Sequence, residues 1–375
     1  MKLSILQENL AKGLSIVSRS VATRAQLPVL SNILLATDRG RLKLSATNLE
    51  MGINYWIGAK VEKEGSLSVP AKVLTEFVSS LSPEKIEIKS QESSLEITSG
   101  SHQANFVGMV ASEFPSVPSL KGKPKISFDL KALSAAISQV AFAAAQDEGN
   151  PVLTGVLLIT KGKNLILVAT DGYRLSLKKI ESGKTLAGVK EFEKGLIIPS
   201  RTLIEVGKVI GESGQEKVLG LNLTPESNQV IFVTPDCEIV SRIVEGKFPD
   251  FEKIIPEEEK TKATVETGGL TRAVKIAAIF ARESANIVRF EVDRSGIKVS
   301  ANTAQVGENK SQIEAKVEGE SNKIAFNSRY FLDFLNSVNS DLIEFRMTGP
   351  LNPGVFSPAG DKSYTHIIMP VRVQE

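Results

Sequence analysis

The side chains best suited to chemistry are few. The chain holds two histidines, His102 and His366, and a single cysteine, Cys237. A structural zinc site needs a cluster of Cys and His at ligand spacing, and this sequence has none, so no metal is expected. One cysteine permits no internal disulfide. Cys237 follows Pro235 and Asp236 between strand-like runs and reads as a small packed residue rather than a nucleophile. The motifs G-x-S-x-G, H-E-x-x-H and G-x-G-x-x-G are all missing. Gly183-Lys184-Thr185 resembles the end of a phosphate-binding loop. The leading glycine of such a loop would stand where the chain has Lys178, and without it the backbone cannot wrap a phosphate. A hairpin turn between charged strands is the better reading. Asp171, in Ala169-Thr170-Asp171-Gly172-Tyr173-Arg174-Leu175, begins an Asp-Gly pair, which is a strong hairpin signal. His366 lies in an alternating strand and reads as structural or edge-exposed. The chain therefore does not read as an enzyme, and no catalytic residue or cofactor is expected.

A protein without an active site acts through its surfaces, and composition limits which surfaces it can have. The 375 residues carry 45 Lys+Arg against 43 Asp+Glu, a formal net charge of +2. Proteins that grip nucleic acid over their whole surface are far more basic, so a nucleic-acid role requires the cations to be gathered on one face. A hydrophobic content of 42% excludes disorder, and the length allows two or three domains at about 150 residues each. No apolar run reaches the roughly 18 residues of a membrane span. The first twenty residues carry Glu8 and Lys12 inside an apolar pattern and read as an amphipathic helix rather than a signal peptide, which predicts a cytoplasmic protein.

The elements that would position such a face recur along the chain. Pro70-Ala-Lys-Val-Leu-Thr-Glu-Phe, Pro199-Ser-Arg-Thr-Leu-Ile-Glu-Val and Asn327-Ser-Arg-Tyr-Phe-Leu-Asp-Phe start 129 and 128 residues apart. The third column is basic (Lys72, Arg201, Arg329) and the seventh acidic (Glu76, Glu205, Asp333). Leu74, Leu203 and Phe331, then Phe77, Val206 and Phe334, then Leu81, Ile210 and Val338 fall at offsets of one helix face. Ser200 and Ser328 sit where an N-cap is expected, and Pro70 and Pro199 suit a helix start. Ala46, Ala169 and Ala301 mark three strand–turn–strand segments, and Leu10, Leu133 and Leu270 mark three further helices. Phe114 and Phe248 stand 134 residues apart in a fourth landmark. Three copies of one α+β module follow, at 1–122, 123–253 and 254–375. The connections are too short for parallel crossovers, so pairing should be mostly antiparallel.

Basic residues outnumber acidic ones in the interiors of these six helices, among them Lys12, Lys72, Arg201, Lys208, Arg272, Lys275 and Arg329. Helices facing one way would make a positive face suited to a polyanion held by non-specific, salt-sensitive phosphate contacts. On charge alone, ordinary solvated helices with Lys/Arg–Glu pairs explain the pattern as well.

The whole chain resembles the bacterial DNA polymerase III beta subunit family, the replicative sliding clamps. The resemblance is carried by Arg24-Ala-Gln-Leu-Pro-Val-Leu-Ser-Asn-Ile-Leu-Leu35, Leu44-Ser-Ala-Thr-Asn-Leu-Glu-Met51, Ala169 to Leu175, Gly246-Lys-Phe-Pro-Asp-Phe251 and the terminal Met369-Pro-Val-Arg372. It implies three DNA-clamp (processivity-fold) domains, each with two helices packed on antiparallel sheets. It also implies a homodimeric six-domain ring that encircles duplex DNA and tethers the polymerase without catalysis. By that resemblance Arg24, Lys72, Gln146, Ser200 and Arg201 face DNA, and Ala104, Phe106, Ile279 and Phe280 lie where subunits meet. A partner-peptide pocket is implied at Leu153, Thr170, Gly172, Tyr173, Arg174 and Leu175. Pro249, Ile254, Leu351, Pro353, Ile367, Met369, Pro370, Val371 and Arg372 complete it. An apolar pocket with an Arg rim suits an extended peptide with Leu and Phe anchors and a polar Gln. Tyr173 stands where family members often have His. The implied partners are double-stranded DNA, the polymerase III catalytic subunit, the clamp loader and other proteins with clamp-binding motifs. The implied location is the cytoplasm, at the nucleoid. The competing reading is a peptide-binding scaffold that does not encircle DNA.

Overall fold

The structure is a computed structural model describing residues 1–22, 27–120, 122–124, 126–147, 149–181, 190–212, 218–224, 228–305 and 307–372. Arg24 and Gly183-Lys184-Thr185 lie outside the described residues. The first stretch of chain runs β1 (Lys2–Leu6), α1 (Gln7–Ser18), β2 (Asn32–Asp38), β3 (Arg41–Thr47), β4 (Met51–Gly58), β5 (Lys60–Lys63), β6 (Ser66–Pro70), α2 (Ala71–Ser80), β7 (Lys85–Gln91), β8 (Ser94–Ser99) and β9 (His102–Val107). The second runs β10 (Ile126–Asp129), α3 (Leu130–Val140), β11 (Gly155–Lys161), β12 (Asn164–Thr170), β13 (Arg174–Glu181), α4 (Lys190–Lys194), β14 (Leu196–Pro199), α5 (Ser200–Glu212), β15 (Val218–Leu223), β16 (Gln229–Val233) and β17 (Cys237–Arg242). The third runs β18 (Thr261–Glu266), α6 (Thr267–Ala281), β19 (Ile287–Asp293), β20 (Gly296–Thr303), β21 (Gly307–Ile313), β22 (Ala315–Gly319), β23 (Asn322–Asn327), α7 (Ser328–Ser337), β24 (Leu342–Met347), β25 (Gly354–Pro358) and β26 (Tyr364–Ile368). The same order of strand, helix, strands, helix and three strands thus recurs three times, with the short α4 added among the strands of the second.

The predicted columns occupy equivalent places. Leu10, Leu133 and Leu270 are fully buried on α1, α3 and α6. Ala46, Ala169 and Ala301 are buried on β3, β12 and β20. Ser200 and Ser328 differ from expectation, for each is the first helical residue rather than the cap. Asn327 caps α7 instead, its side-chain oxygen accepting from the Arg329 N–H at 2.9 Å.

The chain forms two compact units, Met1–Lys131 with Lys208–Ile243, and Ala132–Gly207 with Val244–Glu375. The division passes through the second repeat because its strands serve two sheets. In the first unit an eight-stranded sheet has the order β10-β15-β16-β17-β4-β3-β2-β6, and a five-stranded sheet the order β5-β1-β7-β8-β9. In the second unit a nine-stranded sheet has the order β14-β11-β12-β13-β26-β25-β24-β18-β22, and a four-stranded sheet the order β21-β20-β19-β23. The ladders within and between repeats are antiparallel, as the short connections required. Leu10, Leu14 and Val17 of α1, one stripe of that helix, are buried in the first unit. In the second unit Phe290, Phe326, Phe331, Phe334, Phe345 and Phe356 form one buried aromatic cluster, with ring centroids 4.6 to 6.1 Å apart.

Candidate functional site

The turn between β12 and β13 is built by its own side chains. Asp171 Oδ1 accepts from the backbone N–H groups of Tyr173 (2.9 Å) and Arg174 (3.0 Å). Thr170 Oγ1 accepts from Gly172 N–H at 3.0 Å and donates to the Arg174 carbonyl at 2.7 Å. Gly172 turns the chain at φ +88°, a conformation L side chains rarely adopt.

Arg174 is only 7% exposed, and each part of its guanidinium is used. Nε donates to Asp171 Oδ2 at 3.0 Å, Nη2 donates to the Phe142 carbonyl at 2.9 Å, and Nη1 donates to Asp333 Oδ2 on α7. Its carbon lies 4.6 Å from the Tyr330 ring centroid and 5.4 Å from that of Phe142. Burying a cation is tolerable only with such partners. Of the two arginines in the implied pocket set, Arg174 is thus caged, while Arg372 is exposed. Tyr173, 65% exposed, is the open group, stacked on Tyr330 at 6.4 Å.

Successive residues of β13 and β26 face opposite ways. Leu175 and Leu177 join Ile367, Val355, Phe248 and Phe251 in one apolar cluster, against which Val152 and Ile254 pack half-buried. Arg174, Ser176 and Lys178 point to the other face, toward His366 and Tyr364. Thus the residues implied as one pocket surround the ends of β13 and β26 on both faces of the sheet. Around them Leu153 and Pro353 are half-buried, Pro249 is exposed, and Leu351 is 64% exposed. Pro353 and Val355 also line a cleft with Pro256, Glu257, Glu258, Glu259 and Arg346. The Met369–Arg372 segment is tied down by two backbone hydrogen bonds. Met369 N–H donates to the Tyr173 carbonyl at 2.9 Å and Val371 N–H to the Ala325 carbonyl at 2.8 Å. Met369 and Arg372 stay exposed, and Pro370 and Val371 are half-buried.

Lys72, Arg201 and Arg329 are each exposed and each the second residue of a helix, α2, α5 and α7. They make no ion pair among the described residues. A cation in the first helical turn opposes the helix dipole, so helix stability does not account for this repeated placement. Ser200 is buried, and Gln146 is exposed. Ala104 and Phe106 lie on β9, an edge strand of its sheet, where Phe106 packs edge-on against Phe77 at 5.6 Å. On α6, Ile279 is 55% exposed and Phe280 half-buried. The cage residues Phe142, Tyr330 and Asp333 were not singled out as site residues. Only the recurring acidic column pointed to Asp333.

Residues 1–118, 127–250 and 252–372 match the N-terminal, central and C-terminal domains of the DNA polymerase III beta subunit. The beta sliding clamp of Synechococcus elongatus is 31% identical over 379 residues, covering all of both chains. That of Staphylococcus aureus is 28% identical over 383 residues, covering 99% of each. The crystal structure of the DNA polymerase sliding clamp from Bacillus subtilis superposes with a TM-score of 0.92 at 26% identity, and that of the beta subunit from Thermotoga maritima with 0.90 at 28%. Both comparisons cover the whole of each chain.

Proposed function

This chain belongs to the DNA polymerase III beta subunit family, and on that premise we propose that two copies close head to tail into a sliding clamp around duplex DNA. The clamp holds the replicative polymerase on its template and is itself non-catalytic. The proposed domains are 1–122, 123–253 and 254–375.

The observation that carries this reading is a repeated strand pairing with one member left over. The last strand of the second repeat, β17, pairs with β4, the third strand after the first helix of the preceding repeat. The last strand of the third repeat, β26, pairs with β13, the equivalent strand of the second. Among the described residues, the equivalent strands still without such a partner are β9 and β21, each at the edge of its sheet. Pairing β9 of one copy with β21 of the other completes the pattern. Free edges with exposed backbone groups otherwise invite uncontrolled association. The contact is heterologous in patch and closes by a two-fold axis, which yields two interfaces per dimer. Val107, 81% exposed on β9, and Ile279 supply apolar surface for burial there.

Grip on DNA is then topological, and individual contacts stay weak. Lys72, Arg201 and Arg329, with Arg24 and Gln146, form the proposed DNA-facing set, whose phosphate contacts carry no sequence preference; Ser200, also implied by the resemblance, is buried at the start of α5 and supports Arg201 rather than meeting phosphate itself. The polymerase, the clamp loader and other partners dock by short extended peptides at the apolar cluster of Leu175, Val355 and Ile367 beside Tyr173 and Met369. Tethering raises their effective concentration at the template. The proposed location is the cytoplasm, at the nucleoid.

Sedimentation at micromolar concentration should give a particle near twice 40.5 kDa. Loaded onto nicked circular DNA, the protein should be retained in high salt and released on linearisation. Equal retention on linear DNA with free ends overturns the reading in favour of ordinary binding.

A further inference from the structure

The imidazole of His366 is fully buried, and its Nε2 has no hydrogen-bond partner among the described residues. An apolar residue would fill this place on β26 without that cost. Its other nitrogen, Nδ1, lies 2.6 Å from Ser176 Oγ, directly across the β13–β26 ladder. With the proton on Nδ1, the ring donates to Ser176 and leaves only an acceptor unpartnered. The other tautomer would bury an orphan N–H, the costlier of the two. The bond to Ser176 fixes the plane of the ring. In that plane the imidazole stacks on Phe334 at 5.1 Å and 13°, and leans on Phe142 at 5.5 Å. Phe334 follows Asp333 on α7, and Phe142 supplies the carbonyl that accepts from Arg174 Nη2. Burial, and then the Arg174 charge, hold the imidazole neutral, so it adds no second cation beside the guanidinium.

We propose that His366 is a positioning residue for the partner site. Wedged between Phe142 and Phe334, it sets the two groups, the Phe142 carbonyl and the Asp333 carboxylate, that fix Arg174 beneath the Tyr173–Tyr330 rim. Its effect on partners rests on the reading of this rim as a peptide-docking surface. Its effect on Arg174 does not.

The test uses the full-length protein with His366→Leu, which removes ring and polar atom together, and His366→Phe, which keeps the wedge and loses the bond to Ser176. The probe is a synthetic extended peptide carrying Gln, Leu and Phe, titrated by calorimetry. H366L should weaken binding about tenfold, and H366F should recover it to within about threefold of the parent. In an Arg174→Ala background, H366L should have no further effect, because its influence passes through the guanidinium. Parent-like binding by H366L, or an undiminished loss in that background, overturns the proposal. The Arg174 Nε–H resonance, shifted by the rings of Tyr330 and Phe142, is the second readout. It should move toward a free-arginine position in H366L and less so in H366F. If the parent fails to bind the peptide, the docking reading falls and this resonance decides the positioning claim alone. An unmoved resonance in both variants refutes it.

Discussion

Neutrality of His366 in the folded chain has a consequence for stability that can be worked out in advance. Burial, aided by the Arg174 charge, drives its pKa well below the ordinary value of 6.5, which the unfolded chain retains. Above that value neither state binds the proton, and the group contributes fully to stability. As pH falls below it, the unfolded chain takes up a proton that the folded chain refuses, so stability is lost toward acid. One proton bound only by the unfolded state costs about 1.4 kcal/mol between pH 7.5 and 5.5, so long as the folded imidazole stays neutral. The perturbation is His366→Gln, which removes the titrating group. The assay is thermal unfolding of parent and variant at pH 7.5, 6.5 and 5.5. At pH 7.5 the variant should be less stable by roughly 1–3 kcal/mol, through the lost Ser176 bond and ring contacts. On going to pH 5.5 the gap should narrow by about 1.4 kcal/mol, some 2–4 °C in midpoint. His102 is exposed and common to both chains, so it cancels in the comparison. A gap constant with pH would mean that His366 titrates alike in both states, and the burial argument would fail with it.

A methyl group at Gly172 meets no atom of the described residues within 4 Å, so the cost of Gly172→Ala is backbone strain at φ +88°. A loss of about 1 kcal/mol in thermal or urea unfolding is expected. Val107→Asp puts a charge at an 81% exposed position of the edge strand β9 and should shift the sedimenting species from dimer to 40.5 kDa monomer while leaving the circular dichroism spectrum unchanged. Lys72→Glu with Arg201→Glu should shorten retention on nicked circular DNA and flatten its salt dependence, with the dimer mass intact. Leu175→Ala removes a residue 1% exposed from the apolar cluster and should cost about 2–5 kcal/mol in unfolding, together with peptide binding.

The repeated columns made the fold legible because burial selects residue types locally. Leu10, Leu133 and Leu270 announce three helix faces, and Ala46, Ala169 and Ala301 three buried strand positions. Which sheets the strands join was not legible. β17 finds β4, and β26 finds β13, through pairings far apart along the chain that no local pattern encodes. The Asp-Gly turn was read correctly from its dipeptide, yet the burial of Arg174 was not. Its acidic partner Asp333 lies 159 residues away, and an arginine beside an exposed turn looks solvated until α7 is placed over it. His366 was read only as structural or edge-exposed, and the structure puts it fully inside. A histidine on an alternating strand gives no sign of which face is covered.

Each seam between repeats carries buried polar groups where an apolar pair would suffice. Across β4 and β17, Glu238 faces Asn54, both nearly or wholly buried. Asn54 accepts from Ser45 Oγ at 2.7 Å and donates to the Pro118 carbonyl at 3.1 Å, and Glu238 accepts from Leu120 N–H at 3.2 Å. The joint after the first repeat is thereby fastened over the seam that joins it to the second. Across β13 and β26, Ser176 faces His366 in the same manner. A slip of one residue in either ladder would turn these groups to the opposite face, toward apolar neighbours, so the polar pairs specify register. Carried through the repeat onto the proposed contact of β9 with β21, the β4–β17 register sets Ala104 opposite Asn309 of the second copy, in place of Glu238 and Asn54. The proposed seam between copies thus lacks the buried carboxylate of its intramolecular counterpart.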